Sequence, residues 1–355
     1  MKKCILSVIL AVIMTFSLGI VASAAEPDKG VSLLDERITS FVEAKIATIE
    51  AKITVDRVKT LSDLAGNEYK LIECNPTGYF IIHPESGILV EYATDAKSPY
   101  ASIDSELYYG GPTYYYVKSE GSYTHTVLDT TIDNDKLEAA IQKCNTLNDE
   151  LISQTNNTSA RYFTGESNDL SSFTVLADTD YWVTSYTWLK NRTSGFGYVS
   201  GGYCGYIASN LVLKYWNYRG TIDLPSSYST TNSTALTNEL IDVGSGLGYG
   251  ASTWASPIAN IIDEFCSQQD LPEEAGWAAG VFGITTEIKS NKRPCILFGN
   301  LDGAGNHAVV AYGYNEYENP GYYTYICHYG WNGSYSEVHV YGGTSVFGSN
   351  TKYKV

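Results

Sequence analysis

Positive charge is scarce in this chain. Across 355 residues, 23 Lys and Arg face 39 Asp and Glu, for a formal net charge of −16. Such a chain repels phosphate backbones, so nucleic acid is not an expected partner. Phe is also sparse, at 10 against 30 Tyr. Aromatic bulk therefore carries a polar tip, which suits polar grooves and half-buried strands; the plainer of these readings is a Tyr-rich β surface. Cysteines at metal-binding spacing are missing. Six lie beyond Cys4, namely Cys74, Cys144, Cys204, Cys266, Cys295 and Cys327, and the nearest two in sequence are 29 positions apart. That leaves no CxxC and no zinc pattern, and no metal or other cofactor is expected. An even number permits disulfides, yet a chain this long has no need of staples, and mostly free, buried thiols are expected.

Long apolar runs are absent after residue 25, so no later segment is expected to cross a membrane. The first 25 residues read as a cleavable signal peptide. Lys2 and Lys3 supply the charged start, Ile5 to Ile20 the apolar run, and Ala22-Ser23-Ala24 the small residues for cleavage near Ala24 or Ala25. The run is short for a bilayer span of about 20 residues, and small residues follow it where an anchor has a charged stop. Cys4 precedes the run, so it is not placed as a lipid-modified cysteine. The rest of the chain is expected outside the cell.

The length suggests about two domains. Residues 31–55 have helical spacing, with Leu33, Leu34, Ile38, Phe41, Val42, Ile46 and Ile49 between charged positions. Residues 68–93 read as an antiparallel meander: EYKLIEC, a turn at Asn75-Pro76-Thr77-Gly78, YFIIH, a turn at Pro84 to Gly87, then ILVEYA. Helical spacing returns over 133–154, with Asp133 as the expected N-cap. The polar stretch 153–172 is the best linker and a preferred site of proteolysis. The expected division is a signal peptide over 1–25, a helix–meander–helix unit over 26–160, and a second domain over 175–355. In that second domain a Gly-rich loop enters a helix at Cys204. The Ser/Gly-rich stretch 226–252 separates it from a second helix near 254–266. Strands are expected at 294–301, 307–316, 322–330 and 336–341. Helix first and antiparallel strands last is an α+β order.

Cys204 is the first candidate for chemistry. Unpaired N–H groups at a helix start carry partial positive charge and favour thiolate, the nucleophilic form. Gly201 and Gly202 let the chain turn sharply and leave room for a substrate beside the sulfur, and Gly205 is expected to do the same on the other side. The second candidate is His307, which opens a strongly β run after the loop LDGAGN and can reach across a cleft from there. Each alone has a plain structural reading: a buried cysteine at a helix start, a structural histidine in a strand.

The ordered set of contexts resembles a known family. SGGYCGYIASNLVLKYW is similar to the nucleophile helix of streptopain-type and bacteriocin-leader-peptidase-like cysteine peptidases, divergent bacterial members of the papain-like superfamily. GNHAVVAYGYNE is similar to their His strand, and YTYICHYGWNGSYSE to the following strand and Gly-Trp turn. The meander GYFIIHPESGILVEYA resembles the pro-region of streptopain-like enzymes. The catalytic resemblance spans roughly 175–355 and the pro-region resemblance about 60–100.

The resemblance implies a papain-like catalytic domain, its nucleophile helix packed on a C-terminal antiparallel sheet, preceded by a small α+β pro-region. It also implies hydrolysis of peptide bonds in a protein or peptide substrate. Cys204 is the implied nucleophile, and His307 takes its proton and later protonates the leaving amine. The third residue, Asn in the family, falls on His328, with Asn332 as the fallback and Trp331 shielding the histidines from water. The family's oxyanion-hole Gln falls on Tyr198. A Tyr hydroxyl can donate to an oxyanion, and a missing donor costs about 10²–10³ in rate. The first half is the implied intramolecular inhibitor, released by cleavage near 160–175. Two other readings stay open: a cell-wall endopeptidase of the Cys-His-polar type, and an inactive peptidase fold used for binding.

Overall fold

The structure is a computed structural model that describes residues 32–154, 162–163, 165, 179–193, 196–251, 254–299, 307–317 and 322–355. The signal segment 1–25, most of the polar stretch 153–172 and the loop 301–306 lie outside the described residues.

Helix α1 (Leu33–Thr48) starts where the Ser32 hydroxyl accepts from the Asp35 N–H at 3.1 Å. Asp35 and Glu36 in its first turn and Lys45 in its last complement the helix dipole. It ends earlier than the helical spacing suggests. From Thr54 the β-branched Thr54, Val55, Val58 and Thr60 favour a strand instead, β1 (Thr54–Ser62). The meander forms β2 (Glu68–Asn75), β3 (Tyr79–His83) and β4 (Ile88–Ala93), paired antiparallel. The Tyr-rich segment that follows supplies β5 (Leu107–Tyr109), β6 (Tyr115–Ser119) and β7 (Ser122–His125). Helix α2 (Leu137–Ser153) begins after Lys136 with no side-chain cap, so Asp133 is not its N-cap.

The second half runs β8 (Thr179–Trp182), α3 (Thr187–Lys190), α4 (Cys204–Tyr218), α5 (Ser226–Ser229), α6 (Ala235–Gly246) and α7 (Ala255–Gln268). Strand β9 (Ala275–Ala279) and α8 (Ile284–Thr286), which runs into a π-turn over Glu287–Asn291, come next. Then come β10 (Cys295–Gly299), β11 (Ala308–Tyr317), β12 (Tyr322–His328), β13 (Val338–Tyr341) and β14 (Phe347–Tyr353). Helix α6 lies within the stretch read as Ser/Gly-rich connection. Leu236, Leu240 and Val243 recur at helical spacing and bury one face, which outweighs the weak helix formers around them.

The fold is α+β around a 14-stranded sheet, mostly antiparallel, in the order β7-β6-β5-β1-β2-β3-β4-β13-β12-β11-β10-β14-β9, with β8 also paired to β11. The sheet does not stop at the polar stretch. Strands β4 and β13 pair through His339 with Tyr92 and Val340 with Glu91, which joins the two halves edge to edge. The main core is continuous across this seam, with Tyr79, Val90 and Tyr115 in the same cluster as Ile207, Val309 and Trp331.

The tyrosines correct the surface reading. The largest fully buried side chains are all Tyr, including Tyr79, Tyr100, Tyr115, Tyr215, Tyr312 and Tyr329. Many of these hydroxyls find buried acceptors, which removes the penalty of burying them. Tyr100 donates to Tyr108 O at 2.5 Å, Tyr215 to Thr184 O at 2.6 Å and Tyr312 to Ser336 O at 2.7 Å. Among the described residues six thiols are free; Cys204 is half-buried and the others are buried. Among the described residues no helix is long and apolar enough to cross a membrane.

Candidate active site

The approach to Cys204 is built from glycine and held by polar side chains. Gly201 and Gly202 have φ of +104° and +83°, a region that favours glycine, and they turn the chain into α4. Tyr203 at the helix start makes no side-chain cap, so the first N–H groups remain open toward the sulfur. The preceding loop is fixed from behind. Asn210, fully buried on α4, donates to Phe196 O at 2.8 Å, and Thr237 donates to Gly197 O at 2.8 Å. Gly205 differs from its expected role. A Cβ there would meet Ile258 of α7 at 2.9 Å, so this glycine allows helix packing and does not open space for a substrate.

Burial raises the Cys204 thiol above its ordinary pKa, and the N–H groups of Ala308, Gly205 and Cys204 itself pull it back toward thiolate. Ala308 is the first residue of β11 and follows His307 directly. The start of α4 and the start of β11 therefore meet at the sulfur, which joins the two candidate residues in one corner.

His307 is 2% exposed. Its Nε2 lies 2.6 Å from the carbonyl oxygen of Tyr329. A carbonyl only accepts, so Nε2 carries the proton and Nδ1 carries the lone pair. Nδ1 is buried and makes no hydrogen bond. Burial pushes the His307 pKa down to about 3, the Tyr329 carbonyl opposes that, and the nearby His125 adds to it. At neutral pH this corner holds a thiol and a neutral imidazole. Trp331, also buried, lies with its ring 5.0 Å from that of His307.

The remaining candidates are placed as follows. Both ring nitrogens of His328 are occupied elsewhere: Nε2 lies 2.5 Å from Arg192 O, and Nδ1 accepts from the Gly330 N–H at 2.9 Å. His328 ties the chain at Arg192 to the turn at Gly330, and the bond to His307 comes from the backbone of the next residue. Asn332 is exposed in that turn. Tyr198 is half-buried in the loop leading to Cys204 and packs on the main core, while Gly202 is exposed.

Two parts of the site were not anticipated. A backbone acceptor such as Tyr329 O leaves no mark in a sequence. Asn210 and Thr237 were detectable as polar residues on the apolar faces of helices. The first half, read from the sequence as an intramolecular inhibitor, also contributes side chains here. The Tyr115 and His125 rings lie 5.8 Å and 6.3 Å from Trp331, edge to face. The Tyr114 hydroxyl presses on Gly299, where any Cβ would collide with it. The Gly299 N–H in turn donates to His307 O at 2.9 Å. Farther out, Glu150 of α2 accepts from the N–H groups of Thr344 and Ser345, both at 2.8 Å.

No protein-family model matches the sequence, and no curated protein matches it. Among solved structures, a fragment of prointerpain A from Prevotella intermedia is similar with a TM-score of 0.40 and 12% identity, over 84% of this chain and 99% of that one. A likeness that distant places the chain in no family.

Proposed function

We propose that this chain is a secreted cysteine peptidase made as a zymogen, with Cys204 as nucleophile and His307 as its general base. The observation that carries the reading is the shared corner. The Cys204 sulfur meets the Ala308 N–H, and the adjacent His307 has Nε2 tied to Tyr329 O and Nδ1 left as an unpaired base. His307 takes the thiol proton, the sulfur attacks a peptide carbonyl carbon, and the C–N bond breaks as the proton passes to the leaving amine. Water then hydrolyses the thioester. The Cys204 N–H at the helix start is one donor for the oxyanion, and the Tyr198 hydroxyl is the candidate for a second. The Tyr329 carbonyl takes the orienting part that the sequence assigned to His328.

Latency is supported by the contacts of the first half. Tyr114, Tyr115 and His125 lie against Gly299 and Trp331, and burial holds the thiol protonated and the imidazole neutral. Removal of the first half would rehydrate both groups and favour the charged pair. The test compares peptide hydrolysis by full-length and processed protein, each also as Cys204→Ala and His307→Ala. Processed protein should be active and the full-length form silent, with both substitutions lowering kcat/KM by about 10³-fold or more. Equal activity of the two forms removes the zymogen reading. Full activity in Cys204→Ala removes Cys204 as the nucleophile, and no hydrolysis by either form removes the peptidase reading.

A further inference from the structure

At the seam between the halves lies a carboxyl that the chemistry above does not use. Glu91 on β4 is fully buried and pairs in register with Val340 of β13. Its oxygens accept from the hydroxyls of Tyr79 at 2.6 Å and Tyr109 at 3.0 Å, and from that of Tyr115. These donors come from β3, β5 and β6 of the first half. From the second half the Tyr329 hydroxyl faces the same carboxyl without closing a well-formed hydrogen bond. Tyr335 and Cys327 of that half and Tyr100 of the first also feel its charge. The titratable groups facing Glu91 are thus phenols and one thiol, each pushed upward by its own burial. Tyr329 is the residue whose carbonyl holds His307, so the carboxyl lies one side chain from the candidate active site.

We propose that Glu91 is a pH-sensitive lock on this seam: with its carboxyl protonated the halves stay closed over Cys204, and its ionisation opens them. The proposal rests on reading the first half as the cover of that site. Burial raises the Glu91 pKa to about 7, while the tyrosine hydroxyls pull it down. A carboxyl freed by opening returns toward its ordinary value of 4.5. The closed form binds the extra proton, so its advantage is complete below the open-state value and is lost as pH rises through the closed-state value. A chain held at mildly acidic pH stays shut and is released at neutral pH and above.

The test uses the full-length chain with Cys204→Ala, which cannot cut itself, so it does not depend on peptidase activity. It reads hydrogen exchange of the Val338–Tyr341 amides, corrected for intrinsic rates, at about pH 5 and about pH 8, with and without Glu91→Gln. The histidines are common to both proteins and cancel. At the higher pH Glu91→Gln should be protected roughly 10- to 100-fold more than its parent, and at the lower pH, just above the open-state value, the difference should shrink to about fourfold or less. Equal protection at both pH values overturns the proposal. Should Glu91→Gln fail to fold, Tyr109→Phe decides. It removes one donor to the anion, so it should open severalfold more than the parent at the higher pH alone; no difference there overturns the lock. If the pH dependence is present but the processed protein hydrolyses no peptide, the lock stands and the peptidase reading falls.

Discussion

The Nε2 of His307 and the carbonyl oxygen of Tyr329 lie 2.6 Å apart, and this bond alone sets which ring nitrogen can act as a base. A backbone acceptor cannot be removed by changing a side chain. Asn332→Ala in the processed enzyme should therefore leave kcat/KM within about threefold of wild type. His328→Ala should lower stability by about 2–4 kcal/mol, because it removes one buried and one part-buried hydrogen bond and leaves Arg192 O and the Gly330 N–H unpaired. Urea unfolding together with steady-state kinetics separates the two effects. A loss of about 10²-fold in Asn332→Ala would return the orienting role to that side chain.

Thiol reactivity distinguishes the covered and uncovered states. Cys204 is half-buried with N–H groups beside it, whereas Cys266 is raised to about 11, and Cys295 and Cys327 are raised by deep burial. Iodoacetamide at neutral pH should label Cys204 of the full-length protein before those three, though more slowly than an ordinary exposed thiol. After the first half is removed the Cys204 rate should rise by about tenfold or more. Peptide mapping by mass spectrometry reads all four sites in one experiment. Uniform labelling would remove the special status of Cys204.

Acid should unfold the closed protein by way of its histidines. His83, His125 and His328 are held at about 4, and His307 at about 3, chiefly by burial. The unfolded chain titrates them near 6.5 and so binds more protons below that value. Their contribution is intact above pH 6.5 and is lost as pH falls toward 4, by about 1–3 kcal/mol each at the acid end. Glu91 acts with the opposite sign over part of this range, since its folded value is raised. Urea midpoints of Cys204→Ala should fall steeply below pH 6, and Glu91→Gln should fall more steeply still. A midpoint that does not move between neutral pH and about 4.5 would contradict the assigned protonation states.

Punctuation decided which elements were legible in the sequence. Strands β3 and β4 match their sequence segments because Asn75 to Gly78 and Pro84 to Gly87 mark both ends. Helix α4 and strand β11 were legible from glycines before a small-residue helix and a histidine before a β run. Strands β5 to β7 were hidden, because a Tyr-rich run has no alternation to reveal which face is buried. The seam was hidden for a different reason. Nothing in the segment ILVEYA shows which way Glu91 faces, and only the pairing of β4 with β13 and the surrounding hydroxyls make it a buried position. Long-range pairing and backbone acceptors are properties of the folded chain that no local pattern encodes.

Contact between Tyr114 and Gly299 gives a test of the cover that does not involve titration. Gly299 ends β10, and its N–H holds His307 O. A Cβ on residue 299 would collide with the Tyr114 hydroxyl and approach its ring carbon Cζ at 2.9 Å. Tyr114 is packed among Leu64, Tyr116, Ile132 and Cys144 of its own half and has little room to retreat. Gly299→Ala in the full-length protein should therefore push the first half outward, raising the Cys204 labelling rate by roughly 3- to 10-fold and hastening processing. In the processed enzyme, where Tyr114 is gone, the same substitution should change the labelling rate by less than about twofold. Tyr114→Phe removes the hydroxyl, the nearest atom that the new methyl would meet, and leaves only the approach to Cζ at 2.9 Å, so the double variant should recover part of the slow labelling. A Gly299→Ala effect of equal size in full-length and processed protein, or one that Tyr114→Phe leaves untouched, would mean that this contact does not hold the first half in place.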